Sequence, residues 1–426
     1  MVKEFEGKKL LVLGGVRPAC EIVKEAQKMG AIVYVTDYLE DSPAKKVANK
    51  SFMVSATDVD AVVNLCKEEK IDGVITGYVD LLLPYCEEIC KKLGLPFWGN
   101  KENIDVCINK EKFKLACENA GVSVVPWKKV TLTNLHSSLA DIELPVVVKP
   151  TDNSGSRGVF KCYSQNELEE NCNKAFEFSE SKELLVEKLM NYDNEFSVYY
   201  LLNNGDYYLT GMGDRFVYNR NIEIAPIGQG MLFPSKRLNS WKTKMDSHIK
   251  DFFRLNQMYD GFVFFQGFEE NDEFYIHEIG FRMNGGFSYK VFENMQGYNQ
   301  LQEMIRFSLT GNMKKSELNK ASAFINGNAF ILTVSLLPGE IKSVDGIEDI
   351  VKLDGVVEFC QLHNIGETLL SQGTTAQVFA YIILTAKDRD ELCRIIEQVN
   401  SMLKVTGRNG ENLVSKMVDT QRVREW

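Results

Sequence analysis

Residues 149–159 read KPTDNSGSRGV and directly follow the apolar run LPVVV at residues 144–148. The run predicts a buried strand, so Lys149 should project its ammonium group from a rigid element. The Gly/Ser-rich loop after it could place backbone N–H groups and hydroxyls around phosphate oxygens, and the guanidinium group of Arg157 could donate further hydrogen bonds to them. The same residues are compatible with a hairpin turn beside a lysine whose stem packs on the strand. The pattern GxxxxGK[ST] is missing, which excludes a Walker loop.

Three further charged residues stand around this stretch. Lys110 begins a predicted helix over residues 109–121, where the helix dipole favours anions over cations, so it either covers surface or is directed at an anion. Glu187 interrupts an apolar strand and Glu195 begins the next one. These two carboxylates could accept hydrogen bonds from an adenine amine and ribose hydroxyls, or they could be solvated loop residues.

Residues 261–282 read GFVFFQGFEENDEFYIHEIGFR, which predicts a hairpin of two apolar strands around EENDE. Gln266 lies in the first strand and Glu278 in the second, and oxygen ligands of this kind suit Mg²⁺. Because side chains alternate along a strand, we expect Glu278 and Arg282 on one face. Arg282 would then contact a phosphoryl group, or the two would form a buried ion pair. His277 is expected on the opposite face, as a packed core residue.

In chain order these residues resemble the ATP-grasp ligases, in particular carbamoyl-phosphate synthetase large subunits, biotin carboxylases and bacterial L-amino acid ligases. The resemblance covers about residues 8–311, and the tail resembles the amino acid ligases more weakly. It implies that Lys110 and Lys149 bind the ATP phosphates, and that a Gly/Ser loop closes over the triphosphate, formed here by Ser154, Gly155, Ser156, Arg157 and Gly158. The backbone of a hinge at Lys188 and Leu189, beside Glu187, would recognise adenine, and the Glu195 carboxylate would bind the ribose. Gln266 and Glu278 would be the two metal ligands, and Arg282 would face the phosphoryl group.

The chain departs from the family's Glu-x-Asn-Pro-Arg motif, which here is Glu278-Ile-Gly-Phe-Arg282. Gly280 has no side chain to offer a second metal ion, so either Asn284 substitutes or that ion is held more weakly. The region 212–235 lies where family members bind the substrate carboxylate. Arg215 or Arg220 in that region could pair with it.

The first 95 residues alternate short strands and helices, which predicts an α/β doubly wound parallel sheet. We expect a βαβ domain over 1–108, a two-lobed α+β ATP-grasp domain over 109–315 with helices at 165–178 and 240–259, and a small β-rich domain over 316–426. Gly14, Gly15 and Asp37 fall at strand ends, where they either line a ligand pocket or serve turns and caps. No GxGxxG is present, so a dinucleotide site has little support.

Composition excludes several classes. The formal net charge of the 426 residues is −10, which argues against nucleic acid as the main partner. No run approaches the ~20 apolar residues of a membrane helix, and the N-terminal apolar run predicts a strand rather than a signal peptide. Ten cysteines without a CxxC pair and only four histidines disfavour a structural zinc site and fit a reducing cytoplasm.

The resemblance implies an ADP-forming ligase that uses ATP and Mg²⁺, or Mn²⁺ in its place. It would join a small-molecule carboxylate to an amine, or to a thiol, through an acyl phosphate, with neither nucleic acid nor membrane as partner. Homodimers are common in the family. The alternatives are a small-molecule kinase, a nucleotide-binding regulatory protein without turnover, which Gly280 favours, and a nicotinamide enzyme.

Overall fold

A computed structural model of the protein describes residues 3–152, 158–218, 227–370 and 375–426, and these contain four β-sheets. No helix within these ranges is both long enough and apolar enough to cross a membrane. The ten cysteines all lie in the described ranges, and all are free.

The N-terminal unit is the predicted doubly wound sheet. Its four parallel strands lie in the order β3-β2-β1-β4. Alternate side chains of β1 explain the two faces: Leu10 and Val12 pack with the first helix, and Leu11 and Leu13 pack with the second and third. The elements are β1 (Lys9–Leu13), α1 (Ala19–Lys28), β2 (Ile32–Thr36), β3 (Lys50–Phe52), α2 (Val59–Glu69), β4 (Gly73–Ile75), α3 (Leu83–Leu93) and α4 (Lys101–Ile108).

The next unit, the small lobe, is an antiparallel sheet in the order β5-β8-β6-β7 with one long helix on it. Leu168, Cys172 and Phe176 are spaced as one helical face and pack in the lobe's core. The predicted helices at 109–121 and 165–178 are confirmed. The elements are α5 (Lys110–Asn119), β5 (Trp127–Thr131), α6 (Leu135–Leu139), β6 (Val146–Pro150), β7 (Phe160–Cys162), α7 (Gln165–Glu177) and β8 (Glu183–Lys188).

The following unit contains the predicted hairpin, whose turn places Asn271 and Asp272 at positive φ. The single helix predicted over 240–259 is wrong, because the chain breaks at Met245 into two helices. Two helices that the sequence did not reveal follow the hairpin. The elements are β9 (Glu195–Asn203), β10 (Asp206–Tyr218), β11 (Ile227–Phe233), α8 (Leu238–Lys244), α9 (Asp246–Leu255), β12 (Gly261–Glu270), β13 (Glu273–Gly280), α10 (Ser288–Gln296) and α11 (Gln300–Thr310).

α11 ties this unit to the N-terminal sheet. It is buried on nearly every side, which hides the helical period that would have revealed it. A Cβ at Gly73 of β4 would lie 2.4 Å from the carbonyl oxygen of Ser308. Glycine therefore allows the helix and the strand to approach closely.

The C-terminal part is rich in strands, as predicted, but three of them extend the sheet of the preceding unit. The resulting large sheet has eight antiparallel strands in the order β13-β12-β9-β10-β11-β14-β18-β16 and crosses the expected boundary at residue 315. The domain division itself remains a prediction. The elements are α12 (Lys315–Leu318), β14 (Asn328–Ser335), β15 (Gly339–Asp345), α13 (Ile347–Ile350), β16 (Val356–Gln361), β17 (Thr368–Leu369), β18 (Val378–Ala386), α14 (Arg389–Met402), β19 (Lys404–Gly407) and α15 (Thr420–Glu425).

Candidate functional site

The candidate residues gather where the small lobe meets the β12–β13 hairpin. The connection between α5 and β5 runs along β13, with the Val125 amide donating to the Ile276 carbonyl at 3.0 Å. The Lys188 ammonium bridges to Glu270 at 2.7 Å across the same junction. The two units therefore meet along one junction, here named the candidate cleft, where Glu278 of β13 is near enough to Lys110 of α5 to raise its pKa.

Three lysines and one glutamate form the small-lobe side of the cleft. Lys149, near the end of β6, lies 2.7 Å from Oε1 of Glu187 on β8, and Lys114 lies 3.0 Å from the same oxygen. Burial alone would raise the pKa of Glu187, but Lys149 and Lys114 outweigh it and lower the pKa to about 2. Glu187 is therefore ionised and engaged by lysines, rather than being available to an adenine amine as predicted.

Lys110 begins α5, one helical turn before Lys114. Burial and the nearby charge of Lys149 lower the pKa of Lys110 to about 8, against an opposing effect from Glu278. Sequence reasoning missed Lys114, although its spacing of four from Lys110 on a predicted helix was the available signal. The three lysines concentrate positive charge in this cluster, which suits an anionic ligand.

The Gly/Ser loop is largely outside the described residues, which include neither Ser154, Gly155, Ser156 nor Arg157. Gly158 is described, with φ +73°, and a Cβ there would lie 2.7 Å from Cβ of Phe178. Both the backbone conformation and the close packing require glycine at this position. The loop's role over a triphosphate stays a prediction.

The backbone amides of the hinge after β8 donate hydrogen bonds to carbonyl groups of the protein itself. The Lys188 amide donates to the Pro126 carbonyl and the Leu189 amide to the Pro145 carbonyl, both at 3.0 Å. The predicted reading of adenine by this hinge would therefore depend on groups other than these two N–H donors.

Glu195 is buried at the start of β9 and pairs with Arg215 at 2.6 Å. Burial would raise the pKa of Glu195, but the guanidinium of Arg215 lowers it. Arg215 is thus engaged by Glu195 rather than standing ready for a substrate carboxylate, and Arg220 lies outside the described residues. His277 lies 3.8 Å from Glu195, so the expectation of a core histidine facing away from the cleft is wrong.

Gln266 and Glu278 are directly opposite each other in the β12–β13 ladder, and Ser197 of β9 is the next partner of Gln266. The three side chains therefore form a polar row on one face of the large sheet. Glu278 is exposed, and within the described ranges its carboxylate has neither a hydrogen bond nor an ion pair. An uncommitted carboxylate beside an amide oxygen fits Mg²⁺, which takes few protein ligands and completes its shell with water and phosphate.

Arg282 does not pair with Glu278. Its Nε and Nη2 donate to the two carboxylate oxygens of Asp80, at 2.8 and 2.5 Å, so the N-terminal unit orients this guanidinium. The alternative of a Glu278–Arg282 ion pair is wrong. Asn284 accepts from the Gly286 amide at 2.7 Å, so its oxygen serves a local turn, which disfavours it as a substitute metal ligand.

The structure explains the glycine at position 280. A Cβ there would lie 2.2 Å from Cε1 of Phe264, its ladder partner on β12. The ring of Phe264 thus occupies the space of any side chain at position 280, and the Arg282 guanidinium lies 5.2 Å from its centroid. Gly280 and Phe264 are sterically complementary.

The strand ends of the N-terminal unit show turn chemistry. The buried Asp37 carboxylate accepts from the Gly15 amide at 2.6 Å and from the Leu39 amide at 2.8 Å. Gly14 adopts φ +82°, which glycine tolerates best. The carboxylate of Asp37 thus has hydrogen-bond donors within these turns.

Residues 116–223 match the family model described as the D-ala D-ala ligase C-terminus. Two curated relatives are formate-dependent phosphoribosylglycinamide formyltransferases. The one from Sulfurisphaera tokodaii is 30% identical over 203 residues, 46% of this chain and 50% of the relative, and the one from Wolinella succinogenes is 28% identical over 200 residues, 46% and 51%. The chain spans about half the length of the curated relatives it matches.

Likeness in fold extends over nearly the whole chain. The L-amino acid ligase from Bacillus licheniformis superposes with a TM-score of 0.78 at 18% identity, covering 95% of this chain and 100% of that one. The biotin carboxylase domain of the Hydrogenobacter thermophilus 2-oxoglutarate carboxylase, solved with MgADP, ADP and bicarbonate, gives 0.78 at 18% identity, covering 96% and 91%. The chain is therefore similar to these enzymes in fold over nearly its whole length and in sequence over about half of it.

Proposed function

We propose that the protein is an ADP-forming ligase that uses ATP and Mg²⁺ to join a small-molecule carboxylate to an amine. The observation that carries the proposal is the position of a lysine cluster opposite the polar row that contains Glu278. Lys110 and Lys149 bring positive charge from the small lobe, and Gln266 and Glu278 bring oxygen ligands from the large sheet. Such a cleft matches the charge pattern of a metal-bound triphosphate.

Each group has a distinct role in this proposal. Lys110 and Lys149 neutralise phosphate oxygens, and Glu187 holds the Lys149 ammonium in place at 2.7 Å. Gln266 and Glu278 would hold Mg²⁺, which supplies charge neutralisation on the phosphates when bound. Arg282, oriented by Asp80, would contact the phosphoryl group that is transferred.

The proposed reaction has two steps. A carboxylate oxygen of the first substrate attacks the terminal phosphorus of ATP, the bond to the bridging oxygen breaks, and ADP leaves. The amine nitrogen then attacks the carbonyl carbon of the acyl phosphate, inorganic phosphate leaves, and the nitrogen loses a proton. The chain's contribution is positioning and charge stabilisation, as in other phosphoryl transfers.

Phosphate release from ATP and Mg²⁺ tests the proposal. The panel contains amino acids singly and in pairs, and small carboxylates including formate and bicarbonate, because the relatives' names indicate both kinds of substrate. Phosphate release that needs a carboxylate and an amine together supports the ligase. ADP formation with one substrate, a stable phosphorylated product and no phosphate release would indicate a kinase instead.

Two variants locate the chemistry. Glu278→Ala and Arg282→Ala should each abolish turnover while the far-UV circular dichroism spectrum is unchanged. Glu270→Ala is the control, because Glu270 forms only a partly exposed pair with Lys188 and should leave turnover nearly unchanged. Normal turnover in either site variant would mean that the assigned site is wrong.

A nucleotide-binding protein without turnover is the second candidate, favoured by the Phe264 ring in the space beside Gly280. It predicts ATP binding by calorimetry and no phosphate release with any substrate of the panel. A homodimer, a cytoplasmic location and the use of a thiol in place of the amine remain predictions.

A further inference from the structure

The face of the large sheet that carries the polar row changes character one ladder step further along. Gln266 and Glu278 are one cross-strand pair, and Phe264 and Gly280 are the next pair on the same face, since residues two apart in a strand point to the same side. The first pair offers side-chain oxygen atoms from both strands. The second pair offers an aromatic ring from one strand and no side chain from the other.

The neighbouring strand fills the space in which a ligand at position 280 would lie. A Cβ at Gly280 would be 2.2 Å from Cε1 and 2.3 Å from Cζ of Phe264. Phe264 is buried, and the ring of Tyr199, its ladder partner on β9, lies 6.3 Å from it between centroids. Because interiors of this kind are closely packed, an oxygen ligand at position 280 would require this part of the sheet to repack.

The polar side chains that follow β13 already have partners. The side-chain oxygen of Asn284 accepts from the Gly286 amide at 2.7 Å. Both carboxylate oxygens of Asp80 accept from Arg282. Neither Asn284 nor Asp80 is therefore free to replace the missing ligand.

Arg282 brings positive charge to the same place. Its guanidinium carbon lies 5.2 Å from the centroid of the Phe264 ring, which is the ring that occupies the space beside Gly280. A second cation at this point would meet a like charge. The guanidinium would instead donate charge-assisted hydrogen bonds to the phosphate oxygens that such a cation would otherwise contact.

We propose that the site holds a single divalent cation with the nucleotide, at Gln266 and Glu278, and that the chain has no second cation position beside Gly280. This inference rests on the proposed nucleotide site. Mg²⁺ is bound through one or two carboxylates together with phosphate oxygens. Within the described ranges, the β12–β13 hairpin meets that need at one ladder pair and excludes it at the next.

Counting bound Mn²⁺ tests the proposal on the full chain and requires no turnover. Mn²⁺ replaces Mg²⁺, and its electron paramagnetic resonance signal reports the ions that remain free in solution. The chain is kept in excess over the non-hydrolysable ATP analogue AMPPNP, so that all of the nucleotide is bound. We expect one tightly bound Mn²⁺ per AMPPNP. A second ion should bind at least about tenfold more weakly, because even groups that only support the ligands contribute about tenfold to a hundredfold to metal affinity.

Two variants test the cause. Gly280→Asn combined with Phe264→Ala opens the space and supplies an amide oxygen, so it should bind the second Mn²⁺ about tenfold to a hundredfold more tightly than the wild type. Phe264→Ala alone is the matched control, because it opens the space without adding a ligand, and it should still bind a single Mn²⁺ tightly. If the double variant bound the second ion no better than this control, the steric explanation of position 280 would be wrong.

The wild-type count decides the inference even if a variant does not fold. Two Mn²⁺ ions bound with affinities within about tenfold of each other would overturn the inference and leave the proposed function standing. A wild type that did not bind AMPPNP in a calorimetric titration would contradict both the inference and the proposed function.

Discussion

Glu187 offers the sharpest test of the cleft's electrostatics. Its carboxylate is the shared partner of Lys149 and Lys114, at 2.7 and 3.0 Å, and the Lys114 side chain is completely buried. Glu187→Gln keeps the shape of the side chain and removes the charge. It would leave the buried Lys114 ammonium without its counter-charge, which is strongly destabilising in proteins.

The magnitude follows from the pKa. Lys149 and Lys114 overcome the effect of burial and lower the pKa of Glu187 from 4.5 to about 2. Since a tenfold change in an acid constant corresponds to 1.36 kcal/mol, the ionised carboxylate contributes about 3 kcal/mol to the folded state. A lowered carboxyl pKa stabilises above the unfolded value of 4.5, and the contribution is lost as pH falls from there towards 2.

Urea unfolding of the wild type and Glu187→Gln, followed by tryptophan fluorescence, measures this contribution. Trp127 reports on the relevant sheet because it is the β5 ladder partner of Glu187. At pH 7 the variant should be less stable by about 3 kcal/mol, and the difference should shrink as the pH falls from 5 towards 2. The control, Glu270→Gln, removes a partly exposed pair with Lys188 and should cost less than about 1 kcal/mol.

Two results would contradict the reasoning. If Glu187→Gln were as stable as the wild type at pH 7, the carboxylate would not be the counter-charge of the two lysines. A stability difference of about 3 kcal/mol that did not depend on pH would mean that the substitution acts through packing, and that the pKa of Glu187 is not lowered in the folded protein.

Three further predictions concern the cleft. Gly280→Asn should lower the free energy of unfolding by about 1–3 kcal/mol, because its Cβ would lie 2.2 Å from the Phe264 ring. The double variant Gly280→Asn with Phe264→Ala should lose less stability than the sum of the two single variants, which a double-mutant cycle of urea unfolding would detect. Asp80→Asn should release Arg282 and lower kcat by about tenfold to a hundredfold, whereas the Kd for ATP should stay within about twofold of the wild-type value. An unchanged kcat would show that Asp80 does not orient the arginine for catalysis. Because burial and a neighbouring lysine lower the pKa of Lys110 to about 8, ADP binding without Mg²⁺ should weaken as pH rises through 8. The Lys110→Arg variant should keep its affinity for ADP over the same pH range. If the wild type and the variant showed the same dependence of ADP affinity on pH, this reasoning would be refuted.

Several features of the site were readable from local pattern. Lys149 closes an apolar run, and the structure places it near the end of β6 with all five residues of that strand buried. The EENDE turn between two apolar runs predicted the hairpin, and Gln266 and Glu278 are direct ladder partners in it. These inferences succeeded because strand alternation and turn chemistry act over a few residues.

Other features depended on contacts that no local pattern encodes. Arg282 is held by Asp80, which is 202 positions away in the chain, and Arg215 is held by Glu195 across two strands. A β-bulge makes His277 the extra residue between two ladder pairs of β13, Glu278 with Gln266 and Ile276 with Gly267, so simple alternation does not predict the side that it faces. Gly280 looked like a missing metal ligand until the ladder placed Phe264 against it.

The sequence by itself therefore determined the parallel N-terminal sheet, the hairpin and the chain order of the charged residues, because periodicity, turn residues and strand ends are local properties. Only the tertiary structure decided which charges pair. Lys114 joins the site because α5 packs its fully buried ammonium against Glu187, and the choice of partner depends on register, bulges and the approach of separate units, which are set by packing over the whole chain.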